Sequence, residues 1–185
     1  IGRSHIERIN NTLQGGKVVA CSDPAGAFGL SVAEKYGIKG FENPIDMIND
    51  PEIDAVMCTT ADPYHEEYVL ASIAAGKYVF CEKPLGTDVA QCKAAEKVIE
   101  AHPDLIFQLG FMRRFDKSYA EAKRKIDNGD IGKVVLVRSY TQDPRSTIES
   151  TLKFAPHSGG QYLDMCVHDI DLIRWFTGSD VKNVW

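Results

Sequence analysis

The sequence predicts a doubly wound α/β domain followed by the start of an α+β domain. Short, near-continuous apolar runs at 17–22, 55–59, 78–81 and 105–109 alternate with helical periods at 27–36, 65–75 and 89–101. Strands that are apolar along their whole length need cover on both faces. Crossover helices supply that cover in a parallel sheet. Punctuation agrees with the rhythm: Gly37, Gly76 and Gly129 stand where helices should end, and Pro44, Pro63 and Pro84 mark turns. After Gly110 the rhythm changes.

The elements can be taken in order. Gly2 precedes a helical period, and the first apolar strand ends at Asp23. The second run ends at Thr59-Thr60 and the third at Cys81-Glu82-Lys83-Pro84. The fourth closes at Leu109, which sets the expected division at 1–110 and 111–185. Beyond it the sequence predicts a helix over 116–128, a β-like run over 133–140, a long polar loop, and a helix over 161–176. The chain does not begin with Met, and it closes on the β-like Asn183-Val184-Trp185. It reads as part of a longer protein.

Composition narrows the function classes. A chain of 185 residues with 44% hydrophobic and 25% charged residues has the make-up of a folded globular protein. A net charge of −5 gives no electrostatic footprint for nucleic acid or an anionic membrane. No apolar run approaches the ~20 residues of a spanning helix, and no signal peptide opens the chain. The five cysteines are an odd number without CxxC spacing. They read as reduced, buried thiols of a cytoplasmic protein, and no metal site is expected.

Several residues carry candidate chemistry. Gly2 fits the last glycine of a phosphate-binding turn, although a glycine at a helix start is common without function. Asp23, about 20 residues on at a strand end, fits the carboxylate that binds ribose hydroxyls and repels a 2′-phosphate, which favours NAD over NADP. Its plain alternative is a turn Asp before Pro24. Lys83 lies at the carboxyl end of a strand, where open α/β sheets bind ligands and where a partly desolvated amine serves proton transfer. The Lys83-Pro84 bond is a candidate for the cis form. Thr59 and Thr60 end another strand and either face a cofactor or cap a turn; His65 starts the next helix. Arg113-Arg114 suits a polyhydroxyl or anionic ligand, or is simply a solvated basic pair.

The 161–176 segment is the most informative on physical grounds. Wound as one helix, it puts Leu163, Cys166, Val167, Ile170 and Ile173 on one apolar face and Met165, Leu172 and Phe176 on another. A narrow stripe between them holds Asp164, His168 and Asp171 at i, i+4 and i+7. A carboxylate one turn from a histidine can orient it for acid–base work. The alternatives are a core histidine with satisfied hydrogen bonds, or a metal pair.

Taken together, strand-Asp23, strand-Thr59-Thr60, strand-Glu82-Lys83-Pro84 and Gly159-Gly160 leading to Asp164-x-x-x-His168 resemble the Gfo/Idh/MocA oxidoreductases. Tyr78-Val79-Phe80-Cys81-Glu82-Lys83-Pro84-Leu85 and Gln108-Leu109-Gly110-Phe111-Met112-Arg113-Arg114-Phe115-Asp116 resemble the inositol 2-dehydrogenase branch of that family. The resemblance implies an N-terminal Rossmann domain with NAD as cofactor. It also implies a C-terminal α+β domain with an open, mostly antiparallel sheet, through which members form tetramers. Lys83, Asp164 and His168 would be catalytic, with His168 taking the hydroxyl proton. Ile1, Gly2, Asp23, Thr59, Thr60, His65, Glu82 and Lys83 would line the cofactor. Arg113 and Asp143, with Asp164 and His168, would meet a polyol substrate, an inositol or a relative. The segment Thr141-Gln142-Asp143-Pro144 departs from the histidine-containing version of some inositol enzymes. Two other readings stay open: a sugar or sugar-acid dehydrogenase of the same family, and a non-catalytic NAD-binding regulator.

Overall fold

The computed structural model describes residues 1–185, the side chain of His157 excepted. The chain divides into two compact units, Ile1–Leu109 and Gly110–Trp185.

The first unit alternates strand and helix. Helix α1 (Gly2–Asn11) leads to β1 (Ala20–Ser22), α2 (Ala27–Tyr36), β2 (Lys39–Phe41), α3 (Pro44–Ile48) and β3 (Ala55–Cys58). Then follow α4 (His65–Ala74), β4 (Tyr78–Cys81), α5 (Val89–Glu100) and β5 (Phe107–Leu109). All pairing is parallel, as the apolar runs predict: β1 with β2, and β3 with β4 with β5. The architecture is Rossmann-like, but the strands form two sheets, β1-β2 and β3-β4-β5, rather than one. In the commonest doubly wound order one further strand lies between β1 and β3. No described residue takes that place.

The core sits around the β3–β4 pair. Val56, Cys58, Val79 and Cys81 bury one face of the two strands against Ile48 of α3 and Tyr68, Val69 and Ile73 of α4. Register matters here, because Val56 pairs with Val79 and Cys58 with Cys81, so the two cysteines lie side by side on the inner face. Two short elements escape the periodicity reading. Strand β2 has three residues with Gly40 at its centre. Helix α3 is announced only by its cap, Asn43 accepting from the Ile45 N–H with Pro44 at the first position.

The second unit departs from expectation in three places. Residues 133–140 are not a strand; they run without regular pairing, with Val135 and Tyr140 80–90% exposed. A strand is held by its ladder, and no described residue pairs with this one. The antiparallel sheet that the resemblance implies is therefore not seen among the described residues. Part of the polar loop is helical, α7 (Ile148–Phe154), where Ser150 and Thr151 hydroxyls return to the Thr147 carbonyl. And the segment 161–176 is two helices, α8 (Gln161–Asp164) and α9 (Val167–Thr177), broken at Met165-Cys166. The Cys166 N–H reaches back five residues to Gln161, which interrupts the regular ladder. Helix α6 (Lys117–Asp127) is capped by Asp116 and follows a short turn over Met112–Phe115. No helix is long and apolar enough to cross a membrane among the described residues.

Candidate functional site

In the first unit the candidate residues collect at the carboxyl ends of the strands. Gly2 opens α1 directly against the end of β3: a Cβ placed there would come within 2.8 Å of the Thr59 hydroxyl. One turn on, His5 bonds Glu82 at 2.8 Å, tying α1 to the residue after β4. The Glu82 N–H donates to the Cys58 carbonyl and extends the β3–β4 ladder by one step. Ile1, Gly2, Thr59, Thr60, Glu82 and Lys83 thus stand on connected elements. Ile1 is 73% exposed, while Thr59, Thr60, Glu82 and Lys83 are half-buried. The Lys83–Pro84 peptide is cis.

His65 is fully buried, so it presents no surface of its own. Its Nδ1 lies 2.5 Å from the Pro84 carbonyl and its Nε2 3.1 Å from the Thr60 carbonyl. It therefore braces the two loops that carry Thr59-Thr60 and Glu82-Lys83 from behind. His65 does open α4, as the sequence predicts, and its enclosed ring braces these loops rather than offering a surface.

Asp23 follows β1, and its carboxylate accepts from the Ala25 N–H at 2.8 Å, which shapes the turn into α2. The turn is tight. A Cβ on Gly29 would stand 2.6 Å from the Asp23 nitrogen. This glycine, missed from sequence, is what lets α2 pack onto the strand end. Half-buried Asp23 retains a second carboxylate oxygen for a ligand.

Behind the strand ends the two thiols of Cys58 and Cys81 share a proton unevenly. The Cys81 thiol donates towards Cys58, and with His65 nearby this outweighs burial and takes the Cys58 pKa down to about 6. The same hydrogen bond and burial push Cys81 up.

In the second unit Asp164 ends α8 and His168 lies in the first turn of α9, both half-buried; the Phe111 ring meets the His168 imidazole edge-on at 6.3 Å. The helix break means that Asp164 and His168 do not share one regular ladder. The rest of the expected stripe has other work. Asp171 is buried and takes both Arg114 nitrogens, at 2.6 and 2.8 Å. Arg113 bonds Asp169 at 3.0 Å and the Thr141 hydroxyl at 2.7 Å. Burial works to raise the Asp169 pKa, but hydrogen bonds from Ser139, Thr141 and Arg113 outweigh it and hold the carboxyl below its ordinary value. Both arginines are thus committed to carboxylates, Arg113 largely enclosed and Arg114 with its side chain 41% exposed. The pair braces α9 through two carboxylates that sequence spacing alone did not assign to it. Ile170, expected on an apolar face, is 45% exposed, and Asp143 is exposed in the loop before Arg145.

Against known families, residues 1–111 match the one described as "Oxidoreductase family, NAD-binding Rossmann fold", and 119–185 match the "GFO/IDH/MocA C-terminal domain". The chain belongs to the Gfo/Idh/MocA oxidoreductase family. Its first unit is that family's NAD-binding domain, and the strand-end cluster fits the group: a glycine against Thr59 and a free carboxylate oxygen on Asp23 suit a dinucleotide.

Among curated relatives, the scyllo-inositol 2-dehydrogenase (NAD(+)) of Bacillus subtilis (strain 168) is 38% identical over all of this chain and 53% of its own length. The myo-inositol 2-dehydrogenase of Lactobacillus plantarum superposes with a TM-score of 0.89 at 45% identity, over 97% of this chain and 54% of that one. The scyllo-inositol dehydrogenase of Lactobacillus casei, solved with NAD(H) and scyllo-inositol, gives 0.88 at 42%, over 96% of this chain and 53% of that one. The chain spans about half the length of the curated relatives it matches.

Proposed function

We propose that the full-length protein oxidises a secondary hydroxyl of an inositol, scyllo or myo, or of a related polyol, to the ketone. NAD, when bound, supplies the acceptor for the hydride. The chain's own residues bind, orient and move the proton. His168 takes the hydroxyl proton, and Asp164 supports the imidazolium that forms and holds a neighbouring hydroxyl. Lys83, which follows β4, holds the substrate hydroxyls and takes part in the proton transfer. Asp23 binds the ribose hydroxyls and disfavours NADP, while Gly2, Thr59, Thr60 and Glu82 line the cofactor and His65 holds their loops. Asp143 offers a further carboxylate to a polyol. Arg113, with two nitrogens committed to Asp169 and Thr141, aligns that side of the substrate.

The observation that carries this reading is the Glu82-Lys83-Pro84 strand end together with Asp164-x-x-x-His168 in a chain matched along its whole length by inositol dehydrogenases. A regulator that only senses NAD needs no proton-transfer residues, which favours the enzyme. We place the protein in the cytoplasm, since its five cysteines are free thiols, and as a homotetramer by family likeness, which light scattering on the purified protein tests. The activity test is NADH formation by the full-length protein across a panel of cyclitols, sugars and sugar acids, with NAD and NADP side by side. Turnover of an inositol with NAD is expected. Turnover of sugars alone, or a lower KM for NADP than for NAD, overturns it.

A further inference from the structure

A second cluster of chemistry-bearing groups lies beneath the cofactor loops. Cys58 ends β3, Cys81 ends β4 as its register partner, and His65 begins α4. One ligand atom from each lies within 4.8 Å of the others, and the three residues are 3%, 0% and 0% exposed. We propose that Cys58, His65 and Cys81 form a closed structural site for a borderline-soft divalent cation of the zinc class.

Four physical points support it. The donor set is two thiols and an imidazole, the set that zinc-class ions prefer. Its charge balances: two thiolates and a neutral imidazole around a divalent ion sum to zero, which a buried site requires. The spacing also suits an ion, since the three ligand atoms already lie within 4.8 Å of one another. Two thiolates at ~2.3 Å from one ion bridge that gap by small side-chain rotations.

The imidazole supplies the fourth and most specific point. Both ring nitrogens face carbonyl oxygens, Pro84 and Thr60. A neutral ring carries one N–H, so one of these contacts sets two lone pairs against each other. With Nδ1–H donated to Pro84, the shorter contact, Nε2 is left with a lone pair and no proton to place against Thr60. A cation taken by Nε2 relieves that contact. A ligating histidine held by its other N–H on a backbone carbonyl is the usual support for such an ion. The Thr60 hydroxyl, 3.5 Å from the Cys58 sulfur, is the nearby oxygen for the fourth position. Loading releases the thiol protons. The bound ion would fasten the ends of β3 and β4, from which Thr59-Thr60 and Glu82-Lys83 emerge. Sequence spacing hid the set, because strand register rather than a CxxC motif gathers it.

The test uses the full-length protein, purified without a histidine tag, equilibrated with Zn²⁺ or Co²⁺ and desalted. One equivalent of metal per chain is expected, with a thiolate-to-cobalt charge-transfer band that both Cys58→Ser and Cys81→Ser remove. X-ray absorption on the zinc-loaded wild type does not depend on any variant folding. It should fit two sulfurs at ~2.3 Å and a nitrogen at ~2.0 Å. Retention far below one equivalent, a zinc shell of oxygen and nitrogen alone, or a cobalt band that survives both substitutions overturns the proposal.

Discussion

Gly29→Ala tests how the fold positions Asp23, the carboxylate proposed to bind the cofactor's ribose. In an open helix the change is favourable by ~1 kcal/mol, because alanine has the better helix propensity. Here the new Cβ would lie 2.6 Å from the Asp23 nitrogen and 3.0 Å from the Ser22 carbonyl carbon, about 0.8 Å short of ordinary contact at the closer point. Both neighbours are backbone of β1 and its turn, so no side chain can swing away. Helix α2 must retreat from the strand end, or the turn carrying Asp23 must shift. Overpacking of this kind costs ~1–3 kcal/mol, and rigid backbone puts it at the upper end. Set against the propensity gain, a net loss of about 2 kcal/mol is expected. The shift also moves the Asp23 carboxylate, and a weakening of NADH binding of about tenfold, ~1.4 kcal/mol, should accompany it. Urea midpoints and NADH titrations on full-length wild type and Gly29→Ala read both effects. A variant as stable as wild type with unchanged NADH affinity would refute the close-approach argument.

Two further outcomes follow from the braces around α9. Asp171→Ala removes both hydrogen bonds to Arg114; a fully buried pair would cost ~3–5 kcal/mol, but the Arg114 side chain is 41% exposed, so solvent screening brings the expected loss to about 2 kcal/mol, read as a lower urea midpoint. Asp169 titrates below its unfolded value of ~3.9, so its contribution is complete above that pH and fades as the pH falls through the folded pKa. Stability measured on the acid side should therefore decline less steeply in Asp169→Asn than in wild type, and an unchanged slope would show that the Ser139–Thr141–Arg113 cage does not hold the carboxylate.

What could be read from the sequence follows physical scale. Strand β4 and helix α2 fall where the apolar periods put them, because burial on both faces of a parallel sheet imposes continuous apolar runs. Strand β2 and helix α3 do not show, since three residues around a glycine and a five-residue helix leave no period to detect. Residues 133–140 carry a strand's composition, but pairing is a property of the neighbour, which composition does not reveal. The candidate site divides in the same way. Asp23, Lys83 and His168 could be singled out by their place in the pattern. The bracing of the site could not: Asp169 and Asp171 meet arginines more than fifty residues away, and His65 inside the turn and Gly29 under Asp23 depend on close approaches that spacing does not reveal.

The central claim is that His168, with Asp164 and Lys83, performs proton transfer in a dehydrogenase. Turnover of inositol, NADH affinity and urea midpoint measured together on full-length wild type and His168→Ala test it most directly. Removal of a general base costs ~10²–10⁴ in rate, so kcat should fall by that factor while NADH affinity and stability stay near wild type. A folded His168→Ala protein that turns over inositol at close to the wild-type rate would contradict the account.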